Sequence, residues 1–468
     1  MNVPEAPQAV PERPDGACDD SDRLHELGYE QELARTLSLA DVVIYGLIYM
    51  VPLAPVAVFG IVYNMAAGAV AAVYVVAAIA MLFSAISYKE MAVRFPVAGS
   101  VYSYVRMGSN RFLGFVSGWA ILLDYLLLPA LLCVFAASAM TGVVSWVPAW
   151  IWVVIFVAAT ALINIMGISV TATMNKIFLY IQLVVLAVFL VWAAVLILQG
   201  RAHLSLNPFV PADGGSWSLV LGAVPVAALS YIGFDAISTL NEEAEGGGRT
   251  VSKATMIVLY QVTALFVVQV FVAGMLVPSG MEFADGDPVN NAFYNVVGTA
   301  MAGWFKTVVL LTAALIAIFA NTIASNATSA RLVFSMARDG QLPKFLSRVS
   351  DRHQVPLNAM IFIALLSVGV GILGVEQAGL LTTLVTFGAI TAYVLLHVSV
   401  FTHFVVRGGS RRFFVHWVSP ILGAALLLVA LWNADSNAKI VGSCWLVIGL
   451  GVAAYFKLTG RALGGSDA

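Results

Sequence analysis

Apolar residues in this chain form long runs that are almost free of charge, and short polar segments separate these runs. The run from Val42 to Tyr88 is long enough for two membrane crossings, because about 20 apolar residues span a bilayer. The whole pattern predicts an all-α polytopic membrane protein with twelve spanning helices, numbered here helix 1 to helix 12. They cover about 39–64, 67–93, 112–141, 148–168, 174–199, 217–242, 251–277, 305–335, 357–375, 378–405, 415–433 and 439–457.

The distribution of positive charge predicts the orientation of these helices, since cytoplasmic loops carry an excess of Lys and Arg. With both termini in the cytoplasm, only Arg201, Lys306 and Lys439 of the 23 Lys and Arg residues fall outside. The tryptophans near the proposed outer ends are suited to the membrane interface, and they are Trp146, Trp150, Trp152, Trp217, Trp304 and Trp432. We therefore expect a multi-pass protein of the cytoplasmic (inner) membrane with both termini inside the cell.

Composition agrees with this pattern. Of 468 residues, 61% are hydrophobic and 10% are charged, and the mean hydropathy is +0.93. Soluble domains have about 25% charged residues. The three cysteines, Cys18, Cys133 and Cys444, are an odd number without paired spacing, which argues against a disulfide framework or a metal site. The lipid bilayer is an expected partner, whereas no cofactor and no nucleic acid is.

Two of the predicted helices contain an interruption. Helix 1 carries Pro52 and Pro55, which remove amide donors and disfavour helix just before them. Helix 6 contains Tyr231-Ile232-Gly233-Phe234 followed by Asp235, where glycine allows the backbone to open beside an acid. Paired interruptions indicate two inverted repeats of five helices with a binding site at the midplane.

These features divide the chain into four parts. Residues 1–38, rich in Pro, Asp and Glu, are predicted to be a disordered cytoplasmic tail. Residues 39–405 form the transport core of ten helices, residues 406–457 form two additional helices, and residues 458–468 form a cytoplasmic C-terminal tail.

Two deep acids are candidate functional groups, because an intramembrane charge is costly unless it is paired or faces a cavity. Asp235 either caps the second half of a broken helix only, or caps it and also contacts a substrate or ion. Asp124 in helix 3 is either half of a structural pair or an anionic contact in the site. Helix 8 carries small polar residues that hold helices together or contact an ion or substrate: Asn321, Thr322, Ser325, Asn326 and Ser329. His397, His403 and His416 lack the spacing of metal ligands and are interpreted as structural.

The charges also separate the possible functions. The deep acids, without a basic residue at mid-membrane, favour an amine cation as substrate over an amino acid. Backbone amides at a half-helix N-terminus can still hold a carboxylate, so an amino-acid permease or exchanger remains the alternative. An enzyme is not expected, since the one candidate acid pair, Glu242 and Glu243, is adjacent in sequence and its side chains point apart on a helix.

Four stretches resemble the amino acid/polyamine/organocation transporter superfamily, and the resemblance extends from about residue 38 onward. They are YKEMAVRFPVAGSVYSYV at 88–105, GFVSGWAILLDY at 114–125, YIGFDAISTLNEEA at 231–244 and SNATSARLVFSMARDGQLP at 325–343. Bacterial putrescine importers are similar at LLDYLLLP (122–129), at the Gln182 position and at FGAITAYVLLHVSVFTHF (387–404). This resemblance implies a secondary active importer of putrescine or a related polyamine that works by alternating access.

The same resemblance implies the LeuT-like fold, with five-plus-five inverted repeats and helices 1 and 6 broken. It implies that helices 3, 8 and 10 complete a substrate site on these breaks, and the candidate residues are Tyr49, Met50, Val51, Leu53, Ala54, Asp124, Tyr125, Tyr231, Gly233, Phe234 and Asp235.

The chain departs from the superfamily in helix 5, where many members carry a lysine associated with proton coupling and this chain has Gln182. Coupling should then fall to a carboxylate, or to an ion held by backbone and hydroxyl groups. The candidates are Asp124, Gln182, Asp235, Thr322 and Ser325. The resemblance favours a proton, and the hydroxyls of helix 8 leave sodium as the alternative.

Overall fold

The computed structural model describes residues 35–458 except 98–99, 143, 167, 213–214, 242, 279, 317–320, 339 and 351–354. Within these residues, nine helices are long and apolar enough to cross a membrane, and the bent pair Leu39–Met50 and Ala54–Met65 forms one further span. Two shorter apolar helices, Ala149–Ile165 and Gly303–Ile316, lie where helix 4 and the start of helix 8 are predicted. The architecture is all-helical and consistent with twelve spans.

The observed bounds follow the predicted ones closely, although helix 5 begins earlier than residue 174. Helices 1 to 6 are Leu39–Met50 with Ala54–Met65, Val70–Arg94, Arg111–Thr141, Ala149–Met166, Ile168–Leu198, and Trp217–Tyr231 with Phe234–Leu240. Helices 7 to 12 are Gly247–Leu276, Gly303–Ile316 with Ile323–Arg338, Leu357–Gly374, Ala378–Val400 extended by wider π-type turns over Phe401–Arg407, Phe414–Val418 with Ser419–Asn433, and Ser436–Leu458.

Three short helices were not predicted from the sequence. Ser100–Gly108 lies between helices 2 and 3, and Asp287–Asn290 and Ala292–Ala300 lie between helices 7 and 8. The first packs its Val101, Tyr104 and Val105 side chains into the core. The search for apolar runs does not find such segments, because they are too short to cross a bilayer.

Both interruptions fall where the sequence predicts them. In helix 1 the backbone leaves the helix at Val51, which has a φ of 51°, and the axis bends by 43° before Ala54–Met65 begins. In helix 6 Ile232 is extended and Gly233 has a φ of 124°, a conformation that favours glycine. A tight 3₁₀ helix, Phe234–Leu240, then completes the span. The two breaks expose main-chain groups that other residues must bind.

The N-terminal end of helix 1 is hydrogen-bonded to the segment that follows helix 6. The amides of Thr36 and Leu37 donate to the Glu243 carbonyl at 3.0 Å, and the Glu245 amide donates to the Leu37 carbonyl at 2.8 Å. Ser38 then caps helix 1 in a reciprocal arrangement with Asp41. Residues 35–38 of the predicted tail are thus held in place, and residues 1–34 lie outside the described part of the chain.

The last two helices pack around the core. Helix 12 contacts helix 3 through Trp119 and Trp445, whose rings stack 4.8 Å apart and whose indole N–H groups each donate to the other residue's carbonyl at 2.8 Å. Helix 11 contacts helix 2, where His416 and Arg412 bind Glu90 at 3.2 and 2.7 Å. The histidines predicted to be structural therefore include one that joins two helices.

Candidate substrate site between the broken helices

A cavity of about 100 Å³ lies beside the break in helix 1. Five predicted site residues line it, all from that break: Tyr49, Met50, Val51, Leu53 and Ala54. The remaining wall comes from helices 3, 6, 8 and 10 and from the segment 290–294. Among the described residues that line the cavity none is charged, and its polar side chains outside helix 1 are Ser138, Ser230, Asn290, Asn291, Tyr294 and Asn321.

The other predicted site residues lie outside this lining. Helix 6 contributes Leu229, Ser230 and Ile232 to the wall. Ile232 lies in the predicted interruption, but none of the three is among the predicted site residues. The Tyr231 hydroxyl instead donates to the Tyr74 carbonyl at 3.1 Å, and its ring contacts Phe266 at 5.0 Å. Tyr231 therefore points into the packing between helices 2, 6 and 7, and only its backbone belongs to the break.

Gly233 brings the two breaks into direct contact. A Cβ atom at this position would lie 2.5 Å from Tyr49 Cδ1 and 3.5 Å from Met50 Cγ. Contacts below 3.0 Å require something to shift, and the ring of Tyr49 is buried. The absence of a side chain at Gly233 thus sets how closely helix 1 and helix 6 approach.

Asp235, in the second half of helix 6, is contacted by side chains from three other helices. Its carboxylate accepts hydrogen bonds from the Tyr125 hydroxyl of helix 3 at 2.9 Å and from the Tyr393 hydroxyl of helix 10 at 3.1 Å. The Ser100 hydroxyl, from the short helix after helix 2, lies 3.5 Å away. Tyr393 and Ser100 were missed from the sequence as single residues, although both lie in stretches that carry the family resemblance.

An aromatic cluster surrounds this acid. The rings of Tyr88, Phe234 and Tyr393 lie 5.3 to 5.7 Å apart in pairs, and all three are buried. Tyr393, which donates to Asp235, is therefore part of a closely packed group of aromatic rings.

Asp124 lies deep in helix 3, with 2% of its surface exposed. Its Oδ1 atom is buried and has no hydrogen-bond partner among the described residues. The next residue in helix 3, Tyr125, donates a hydrogen bond to Asp235, so Asp124 adjoins a residue that contacts the second acid. Neither acid forms an ion pair with a Lys, Arg or His in the described part of the chain. Two buried carboxyl groups thus lie near the breaks without a cationic side chain.

A side chain of helix 8 replaces a main-chain hydrogen bond that Pro129 removes from helix 3. Pro129 has no N–H to bond the Tyr125 carbonyl four residues before it, and the Ser329 hydroxyl donates to that carbonyl at 2.5 Å instead. Of the predicted coupling residues on helix 8, Thr322 is buried, and Ser325 is buried with its hydroxyl unpaired among the described residues. The remaining coupling candidate, Gln182, contacts the break in helix 1, where it accepts from the Leu53 amide at 3.4 Å.

The chain is similar to known transporters. The chain is 31% identical over 431 residues to the low-affinity putrescine importer PlaP of Escherichia coli, covering 90% of this chain and 93% of that protein. It is 27% identical to the branched-chain amino acid permease BcaP of Bacillus subtilis, covering 90% and 92%. The crystal structure of MhsT in complex with L-phenylalanine matches with a TM-score of 0.57 at 13% identity, over 83% of this chain and 98% of that one.

The MhsT likeness shows the LeuT-like fold alone. The amino acid permease family profile matches residues 37–453, which is nearly the whole described chain. The chain therefore belongs to the amino acid permease family, within the amino acid/polyamine/organocation superfamily, and is a membrane transporter rather than an enzyme.

Proposed function

We propose that this permease imports an organic amine, putrescine or a related polyamine, across the cytoplasmic membrane by alternating access, coupled to a proton. Both termini would then lie in the cytoplasm. The observation that carries the proposal is that two carboxyl groups, Asp124 and Asp235, are buried without a basic partner in the described part of the chain.

An unpaired buried carboxylate is costly in a medium of low dielectric constant, and it is stabilised when a cation or a proton neutralises it. A substrate ammonium supplies that charge, and so does a co-transported proton. One carboxyl group can therefore bind the substrate ammonium group while the other carries the proton. This accounts for two buried carboxyl groups that have no lysine or arginine partner in the described part of the chain.

The break in helix 1 offers further groups that suit an amine. Its lining includes the aromatic ring of Tyr49, and an aromatic face attracts a cation. The C-terminal end of the first half-helix also carries free carbonyl groups and a partial negative charge. PlaP, the putrescine importer similar to this chain, supports the same substrate class.

For coupling, we propose that Asp124 or Asp235 carries the proton. Gln182 is a neutral amide and cannot do so. Tyr125 and Tyr393 bind Asp235 from helices 3 and 10, so a change in the charge of this acid would alter contacts between three helices at once. Such a change links proton binding to the conformation of the transporter.

An amino-acid permease is the second candidate, and the neutral lining of the cavity favours it. A zwitterion can be held by the free main-chain groups of both breaks without any charged side chain. BcaP, which is named a branched-chain amino acid permease, is also similar over most of this chain.

Uptake by purified protein in liposomes separates these candidates. We expect saturable uptake of labelled putrescine, agmatine or cadaverine, with competition among the amines. Saturable uptake of leucine, without any amine uptake, would instead establish the amino-acid permease. Empty liposomes and liposomes with heat-inactivated protein serve as controls.

The driving ion is tested in the same liposomes without sodium. An acidic exterior should drive amine accumulation above equilibrium, and a protonophore should abolish it. Uptake that is absent without sodium, and appears when sodium is added at constant pH and membrane potential, would refute proton coupling.

A further inference from the structure

One peptide bond in the break of helix 1, between Pro52 and Leu53, is bound at both edges by glutamine side chains. The Gln269 amide of helix 7 donates to the Pro52 carbonyl at 2.8 Å. The Gln182 carbonyl of helix 5 accepts from the Leu53 amide at 3.4 Å. Because the oxygen and hydrogen of a trans peptide point in opposite directions, the two glutamines approach it from opposite sides.

Each glutamine must present a defined end of its amide group. A main-chain N–H only donates and a main-chain carbonyl only accepts, so Gln182 must present oxygen and Gln269 must present nitrogen. Both side chains are fully buried, and a buried main-chain group without a partner is costly. The peptide lost its helical partners at the break, and these two side chains replace them.

The two glutamine side chains differ in how firmly neighbouring groups hold them. The Gln269 nitrogen also donates to the Leu265 carbonyl in its own helix at 3.1 Å, which fixes the side chain. Helix 7 packs extensively along the first half of helix 1, whereas helix 5 touches it sparsely. Gln269 is thus the firmly held side of the arrangement, and Gln182 supplies the longer contact across a smaller interface.

We propose that Gln182 and Gln269 are positioning residues that hold the Pro52–Leu53 peptide and thereby set the geometry of the substrate site. Val51 and Leu53, on either side of Pro52, line the cavity, so a rotation of this peptide would move the wall of the site. Neither glutamine needs to touch the substrate. Gln182 acts through an acceptor oxygen, and proton transfer has no part in its role.

The test replaces each glutamine by glutamate, which has oxygen in place of the amide nitrogen, and by leucine, which has neither a donor nor an acceptor. Glutamate at position 182 keeps an acceptor for the Leu53 amide even when burial holds it in the neutral form, whereas glutamate at position 269 presents a donor to the Pro52 carbonyl only when it is protonated. We expect Gln182→Glu to keep KM within about twofold of the wild type and Gln182→Leu to raise KM about tenfold, the size expected for one lost buried hydrogen bond.

For helix 7 we expect Gln269→Leu to raise KM at every pH. Gln269→Glu should raise KM at neutral pH and approach the wild-type value as the pH falls and the new carboxyl group gains its proton. All values are expressed as ratios to the wild type at the same pH. Gln199→Glu, which adds a carboxylate at an exposed position at the end of helix 5, is the matched control and should follow the wild type throughout.

The measurements use putrescine, or leucine if the wild type transports only the neutral amino acid, so they stand whatever the substrate proves to be. Melting temperature in detergent identifies variants that do not fold. If Gln269→Glu fails to fold at neutral pH, the comparison of Gln182→Glu with Gln182→Leu decides. Equal KM values for those two variants, or a wild-type KM for both leucine variants, would overturn the proposal.

Discussion

Substitution of Gly233 by alanine tests whether contact between the two helix breaks shapes the substrate site. The added Cβ meets two separate obstacles. Gly233 has a φ of 124°, and a side chain in such a conformation costs about 1–3 kcal/mol. The Cβ would also lie 2.5 Å from Tyr49 Cδ1, and forcing an extra carbon into a packed core costs about 1–3 kcal/mol.

Tyr49 cannot easily give way, because it is 3% exposed and its ring lies 6.2 Å from that of Tyr45. We therefore expect Gly233→Ala to lose about 2–6 kcal/mol of stability if the break keeps its geometry. If the break yields instead, Tyr49 moves and the cavity that it lines changes shape. Either response should reduce uptake at least tenfold.

Gly222 provides the matched control in the same helix. It lies in the regular segment Trp217–Tyr231, and a Cβ there would have no neighbour within 4 Å. Alanine is favoured over glycine inside a helix by about 0.5–1 kcal/mol, so Gly222→Ala should keep or raise the melting temperature and retain uptake. Melting by size-exclusion fluorescence in detergent and uptake in liposomes measure both effects. Wild-type melting and uptake in Gly233→Ala would show that this glycine does not control the approach of the two helices.

Three further substitutions test other parts of the molecule. Asp124→Asn should weaken amine uptake tenfold or more through loss of a charge-assisted bond, and normal uptake by correctly inserted protein would remove this acid from the site. Ser329→Ala leaves the Tyr125 carbonyl without the donor that it needs opposite proline, which should lower the free energy of unfolding by about 1–3 kcal/mol; an unchanged melting temperature would contradict this. Trp445→Phe keeps an aromatic ring against Trp119 but removes one indole bond, so stability should fall by about 1 kcal/mol while the KM for uptake stays constant; a changed KM would mean that helix 12 acts on the site.

The sequence predicts the helices of this protein well because a bilayer demands long apolar segments. It also locates both breaks, since Pro52 and Gly233 restrict or free the backbone in ways that depend on the residue itself. It misses the short helix Ser100–Gly108, whose burial depends on neighbours that are distant in sequence.

Partners across helices are much harder to predict. Lipid and protein core are both apolar, so a spanning helix can be hydrophobic on every face and its sequence does not indicate which face meets a neighbour. Asp235 was recognised as a candidate, but its partners Tyr125 and Tyr393 come from helices 3 and 10. Gln269 is one polar residue in an apolar helix, and only the fold shows that it binds the break in helix 1.

The tie between residues 36–37 and 243–245 also bears on how this family can vary. Main-chain atoms make all of its hydrogen bonds, so natural selection can act on it without preserving any particular side chain. Proline is the exception, because at Thr36, Leu37 or Glu245 it would remove a donor. Gly246 follows with a φ of 78°, a conformation that most other residues adopt at a cost. Among homologues, we therefore expect proline to be avoided at the donor positions of this contact and glycine to be kept at position 246, even where other side chains have diverged.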